Sequence, residues 1–131
     1  MVYGYCRIST AKQSIERQER NIKAAYPTAI IVKEVFTGTK LDGRMEWEKI
    51  YKKVQSGDTI VFDSVSRMSR NAAEGVELYM YLFNRNINLV FLKESYINTE
   101  VYRSTIDQTI GTTGNDIADI YIEATNKVIK L

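Results

Sequence analysis

The chain opens with Tyr3-Gly4-Tyr5-Cys6-Arg7-Ile8-Ser9-Thr10, and Gln13 and Gln18 follow it. Tyr3, Tyr5 and Arg7 alternate with Gly4, Cys6 and Ile8, the period of two that a strand requires. On that period Tyr5, Arg7 and Ser9 share one side, so a hydroxyl and a guanidinium leave the strand end together. A serine attacks only where something lowers the cost of its alkoxide, and a planar guanidinium matches two phosphate oxygens. Read alone, the stretch is better described as a strand running into a Ser/Thr turn, with Arg7 in a surface ion pair.

Outward from this opening, Gln13-Ser14 starts a helix with Ser14 as N-cap. Ile15, Ile22, Ala25 and Tyr26 fall on one face. Gln18 sits in the middle of that face and needs hydrogen-bond partners if buried. It is either a satisfied core glutamine or an amide that reaches the strand end near Ser9. Pro27 ends the helix, and Ala29 to Val35 is a β-branched run that predicts a second strand. A loop with Gly38, Asp42 and Gly43 follows, and Arg44 stands where it meets the next helix. Trp47, Ile50, Tyr51 and Val54 recur at helical spacing, Ser56-Gly57-Asp58 stops that helix, and Thr59 to Asp63 predicts a third strand.

Ser64-Val65-Ser66-Arg67-Met68-Ser69-Arg70 is the second informative stretch. Asn71 caps the helix after it, with Glu74 as capping-box partner, and Val76, Tyr79, Met80 and Phe83 line its buried side. Arg67 and Arg70 offer two guanidiniums beside the free N–H groups of a helix start, a favourable anion site; the plainer reading is a basic loop. Asn86 to Leu92 predicts a fourth strand and Glu94 to Asn98 a short fifth. Thr99 to Leu131 reads as mostly helical, weakened at Gly111 and Gly114. Its stripe Ile117, Ile120, Tyr121, Ala124, Val128 and Leu131 marks a last helix that packs on its own sheet or forms an interface.

Alternating strands and helices predict an α/β fold with a mostly parallel sheet of four to five strands, helices on both faces and a long C-terminal helix. Ligands bind such sheets at the carboxyl ends of strands, where strand order reverses. If the first and third strands are neighbours there, Ser9 meets Arg67 and Arg70. A hydroxyl facing several arginines suits attack on a phosphodiester, whose transition state spreads negative charge over oxygens.

Composition narrows the chemistry. The chain has 131 residues, which suits one domain, and its 44% hydrophobic and 26% charged residues are ordinary for a globular one. A net charge of +2 does not announce a nucleic-acid binder. One cysteine rules out an internal disulfide and fits a reducing, cytoplasmic setting. No apolar run is long enough for a membrane span, and no signal peptide precedes the first strand. Histidine is absent, which removes the Ser-His-Asp triad and histidine-ligated metals. Serine chemistry here runs on arginine, carboxylate, amide and backbone groups, with no cofactor expected; a carboxylate-only magnesium site is the one metal possibility left.

Taken together, these residues resemble the serine recombinase family, which comprises the resolvases, DNA invertases and serine integrases. Gly4 to Thr10 with Gln13 and Gln18 is similar to its Y-A-R-V-S-T-x-x-Q-x-x-x-x-Q opening. Ser66-Arg67-Met68-Ser69-Arg70 resembles its D-R-L-x-R segment, and Arg44 matches its arginine in the loop after the second strand. The resemblance spans essentially residues 1–131 as the family's catalytic domain with its three-layer fold. It implies that Ser9 attacks a DNA phosphate and forms a phosphoserine link without a metal, and that Arg7, Arg44, Arg67 and Arg70 bind the phosphate, stabilise the transition state and help move protons. Gln13 and Gln18 would position groups and Tyr5 would support the site. It also implies a homodimer that becomes a tetramer when active, a chain cut within its long interface helix, and a missing DNA-binding region. The wording from Asp63 to Arg67 points to the large recombinases of phages and mobile elements. Two departures stand out. Ser66 occupies the position of the family's aspartate, and Asp63 lies three residues earlier. Cys6 replaces a small alanine, which is mild because a buried cysteine behaves as a small hydrophobe.

Two other functions compete with this reading. One is a DNA-associated assembly module of the same fold with weakened catalysis, raised by Ser66. The other is a phosphate- or nucleotide-binding module, which ranks last because the chain has neither a G-x-x-x-x-G-K-S/T loop nor a G-x-G-x-x-G turn.

Overall fold

The computed structural model describes residues 1–8, 12–35, 45–69, 71–108 and 120. Four strands, β1 (Val2–Ile8), β2 (Ile30–Val35), β3 (Thr59–Phe62) and β4 (Asn88–Phe91), alternate with helices α1 (Lys12–Ala25), α2 (Met45–Lys53), α3 (Ala72–Asn84) and α4 (Thr99–Gln108). All strand pairs are parallel, and the sheet order is β2-β1-β3-β4. The chain therefore starts in the middle of its sheet, moves one way to β2, and crosses back to β3. Strand order reverses between β1 and β3, the neighbours on which the sequence argument depended.

The period of two in β1 divides the core. Tyr3 and Tyr5 join Trp47, Ile50, Phe62, Tyr79, Leu89 and Phe91 on the side of α2 and α3. Cys6 and Ile8 join Ile15, Ile22 and Val61 on the side of α1. Both faces of the sheet are covered, as a parallel sheet requires. The backbone of Gly4 admits α1 closely: a Cβ there would lie 2.8 Å from Ile22 Cγ2 and 2.8 Å from Ile31 Cδ1.

The elements follow the sequence signals, with local shifts. Helix α1 begins at Lys12, so Ser14 lies inside its first turn and is not its N-cap. Ala25 is exposed and Tyr26 half-buried, leaving Ile15, Gln18 and Ile22 as the buried face. Gly57 takes a left-handed φ of 94° in the turn after α2, which a glycine adopts without strain. Asn71 caps α3, its Oδ1 accepting Glu74 N–H at 2.8 Å. Residues 94–98 form no fifth strand: Ser95–Ile97 is a 3-10 turn. The β-like Tyr96-Ile97 pair is overridden by the residues after it. Asn98 Oδ1 accepts Phe91 N–H at 2.7 Å, and Thr99 Oγ1 accepts Leu89 N–H at 2.9 Å. The outward N–H groups of edge strand β4 are thus satisfied by side chains, where another strand would otherwise pair. Of the C-terminal stripe, Ile120 is helical and 40% exposed; its other members, with Gly111 and Gly114, lie outside the described residues. No described helix is long and apolar enough to cross a membrane.

Candidate active site

The carboxyl end of β1 outruns β3. β1 pairs with β2 from Tyr3 to Ile8, but with β3 only from Val2 to Tyr5. Alternate residues of β1 turn their backbone groups toward β3, beginning with Met1 O, which accepts Thr59 N–H at 2.9 Å. On that alternation Arg7 comes next after the ladder stops, and its N–H and C=O need other partners. Gln18 supplies them. Its Oε1 accepts Arg7 N–H at 3.0 Å and its Nε2 donates to Arg7 O at 3.0 Å. The side chain is 1% exposed. One amide in α1 continues the sheet where β3 has ended, so Gln18 is a satisfied core glutamine whose partner is the main chain of Arg7; Ser9, which the other reading invokes, lies outside the described residues.

The turn after β3 closes the other side. Val65–Arg67 forms a 3-10 turn, with Arg67 N–H donating to Ser64 O at 3.1 Å and Met68 N–H to Val65 O at 3.2 Å. Arg7 Nη2 donates to Ser66 O at 2.6 Å, and Arg67 Nη1 donates to Arg7 O at 3.2 Å. Each arginine side chain is bound to the main chain of the other's segment. Arg7 is 9% exposed, so its side chain is not at the surface, while Arg67 and Ser66 are half-buried. Ser66 Oγ lies 2.8 Å from Ser64 Oγ.

Two carboxylates flank this turn. Asp63 is 2% exposed; its Oδ1 accepts Asn21 Nδ2 at 2.9 Å, and its Oδ2 lies 3.2 Å from Lys93 Nζ. It braces β3 against α1 and the end of β4. Glu94 is buried, and its Oε1 accepts Val65 N–H at 2.7 Å. Burial pushes its carboxyl above the usual glutamate range and neighbouring Asp63 adds to this, while Val65 N–H and Lys93 oppose it.

Tyr5 sits beneath the site. Its ring is fully buried, with its centroid 5.1 Å from that of Trp47 in an edge-on arrangement, so its hydroxyl needs a protein partner. That partner is Glu34 Oε1 at 3.0 Å. The same carboxylate accepts Trp47 N–H at 3.0 Å and Glu46 N–H at 3.3 Å. An acid on β2 thus caps α2, where a negative charge is favoured. Glu34 thereby ties β1, β2 and the start of α2 together.

The described residues bring together Arg7, Arg67, Ser66 and Gln18, with Tyr5 behind them and Asp63 to one side. Ser9, Arg44 and Arg70 lie outside the described residues, as does the side chain of Gln13. Glu34 and Glu94 escaped the sequence reading. The available signal for Glu34 was a tyrosine inside a strand of a parallel sheet, whose hydroxyl needs a partner once buried; Glu94 left none, because Ser64 before the turn is itself a capping residue type. A cleft of about 550 Å³ lined by Tyr26, Thr59, Asn88, Thr99 and Arg103 lies at the amino ends of β3 and β4, the opposite end of the sheet from Arg7 and Arg67.

The chain is 28% identical over 100 residues to a resolvase of Clostridium perfringens, covering 76% of this chain and 52% of that protein. It is 25% identical over 130 residues to the transposon Tn917 resolvase of Enterococcus faecalis, covering 99% of this chain and 70% of that one. The chain spans about half the length of the first of these relatives. Its fold is similar to the crystal structure of the N-terminal catalytic domain of TP901-1 integrase, with a TM-score of 0.61 and 22% identity over 98% of this chain and 95% of that one. A family model described as the resolvase N-terminal domain matches residues 2–129, and the chain belongs to that family.

Proposed function

We propose that residues 1–131 are the catalytic domain of a site-specific DNA recombinase in which Ser9 is the nucleophile. The Ser9 oxygen forms a bond to a backbone phosphorus of DNA as the bond to a deoxyribose oxygen breaks. The serine gives up its proton and the departing oxygen takes one up. The phosphodiester energy is kept in the phosphoserine link, so a strand end from a second site can attack it and rejoin the DNA without an added energy source. Arg7 and Arg67 bind the phosphate oxygens and meet the charge of the transition state, together with Arg44 and Arg70. Gln18 and Tyr5 hold the strand end, Gln13 and Ser66 complete its surroundings, and Asp63 braces the third strand. The partners are DNA and further copies of the chain, with a dimer passing to a tetramer.

The observation that carries this reading is the convergence of the arginines. β1 and β3 are adjacent at the point where strand order reverses, and Arg7, two residues before Ser9 in sequence, and Arg67 are bound to each other's segments there. Ser66 favours a second reading, a module that assembles on DNA with weakened catalysis, because it brings no carboxylate to the arginines.

The test is to incubate the full-length protein containing this chain with DNA from the ends of the element that encodes it. Denaturing gels, run with and without chelator, then read protein–DNA adducts. The wild type is expected to form adducts in both conditions and Ser9→Ala none. Equal adducts in Ser9→Ala remove Ser9 from the role, a requirement for magnesium overturns the metal-free chemistry, and binding without any adduct selects the assembly module.

A further inference from the structure

The 3-10 turn at Val65–Arg67 lacks a cap of its own. Its first N–H, that of Val65, has no carbonyl within the turn to accept it. The residue in the capping position, Ser64, makes no side-chain cap bond; its hydroxyl is 2.8 Å from Ser66 Oγ. The acceptor comes instead from 29 residues later, where Glu94 Oε1 lies 2.7 Å from Val65 N. Glu94 is itself fixed to the end of β4, its N–H donating to Phe91 O at 3.2 Å and its carbonyl accepting Ile97 N–H at 3.0 Å. Val65 and Met68 are fully buried, so the turn is held by the core at two points and by Glu94 at its start. The next residue supplies the carbonyl that binds Arg7, and the one after it is Arg67, which reaches back to Arg7 O.

We propose that Glu94 is a positioning residue for the Arg7–Arg67 pair: by holding Val65 N–H it sets the turn that places both guanidiniums. The choice of residue supports this. A carboxylate that is 6% exposed and faces Asp63 is a costly way to satisfy one N–H. Its oxygen reaches Val65 N–H from the end of β4, while the hydroxyl of Ser64 faces Ser66 Oγ. Glu94 touches no reacting group and acts only through the main chain of residues 65–67. This inference rests on the recombinase reading for its consequence, but not for its geometry.

The experiment compares Glu94→Gln, Glu94→Asp and Glu94→Ala in the full-length protein, alone and with Arg67→Ala. Gln keeps an acceptor at the same reach, Asp keeps the charge but withdraws it by one methylene, and Ala removes both. Expected single-turnover adduct formation falls at least about tenfold in Asp and Ala and stays within about threefold of wild type in Gln. On the Arg67→Ala background the further loss shrinks to less than about twofold, because residues acting as one unit are not additive. A wild-type rate in Asp, a Gln variant as slow as Asp, or an equal loss on both backgrounds overturns the proposal. Should Ala not fold, the Asp and Gln pair decides. A second arm needs no activity: the guanidinium NMR signals of Arg7 and Arg67 should stay sharp in wild type and Gln and broaden or shift in Asp. If wild type forms no adducts, the recombinase reading fails and this arm alone decides Glu94; unchanged signals in Asp refute it.

Discussion

Gln18→Leu tests how the site is held at its base. Leucine fills nearly the same volume, so the change removes the amide and little else. In the folded chain Gln18 is 1% exposed and makes two bonds to Arg7, 3.0 Å each. Arg7 O keeps a donor in Arg67 Nη1 at 3.2 Å, so its loss is the smaller one, about 0.5–1.5 kcal/mol for a net neutral bond. Arg7 N–H loses its acceptor where water has little access, which costs roughly 1–3 kcal/mol. Burying an apolar group in place of an amide returns part of this, leaving about 2–3 kcal/mol as the net loss. With a typical slope in urea, the midpoint should fall by roughly 1–2 M at unchanged slope. Gln18→Glu is the control. Its carboxylate can still accept Arg7 N–H but sets an oxygen against Arg7 O and buries a charge, so it should be no more stable than Leu. A midpoint shift below about 0.3 M in Gln18→Leu, or full stability in Gln18→Glu, would refute the idea that this amide stands in for a strand.

Three other outcomes follow from single contacts. Gly4→Ala should destabilise by about 1–3 kcal/mol, as overpacking does, read as a lower urea midpoint, because its Cβ would meet Ile22 and Ile31 at 2.8 Å. Cys6 should resist alkylation at pH 8 in the native protein and react at once in urea, since burial first, then Glu19 and Asp63, pushes its thiol up to about 12. Glu94→Gln should match wild type in stability at acid pH and exceed it increasingly as pH rises from the ordinary glutamate range through the raised value. An acid whose folded pKa lies above its unfolded one loses stability over that window, and the amide has no charge to bury. A constant difference across pH would show that the buried charge is not what costs stability.

How much of this was legible in the sequence depends on how far each contact reaches along the chain. The alternation in β1 and the Asn71 cap on Glu74 are local, and both read correctly. The sequence placed Ser9 beside Arg67 and Arg70 on the condition that β1 and β3 are neighbours; that condition is met, Ser9 and Arg70 lie outside the described residues, and the meeting seen is that of Arg7 and Arg67. Glu34 was not legible. In Ile30-Ile31-Val32-Lys33-Glu34-Val35 it follows a lysine near the end of an edge strand, which reads as a solvated pair, yet it is the buried residue of that strand. Its partners, Tyr5 and the first turn of α2, share no spacing with it. Glu94 failed differently. Tyr96-Ile97 looked like strand material, and propensity lost to Asn98 and Thr99, whose side chains took the edge N–H groups a fifth strand would have used. Ser14 was misplaced because a capping residue type says nothing of where the preceding strand lets the helix begin.

Position 66 shows how main chain can replace side chain in such a site. The family resemblance leads one to look there for an aspartate that orients the arginines by charge. Here Ser66 gives its carbonyl to Arg7, and Arg67 returns a bond to the carbonyl of Arg7. Any residue at 66 supplies that carbonyl, so the pairing of the two segments does not depend on the side chain. The nearby carboxylates are otherwise engaged, Asp63 by Asn21 and Lys93, and Glu94 by Val65 N–H. A carboxylate at 66 would stiffen the guanidiniums further, but it would also offset part of their positive charge at short range, where charges interact most strongly. With a serine there, the pairing of the two arginine segments rests on hydrogen bonds to the backbone. On these grounds the missing aspartate counts against precise proton handling more than against phosphate binding, and it is the adduct assay, not the binding assay, that separates the enzyme from the assembly module.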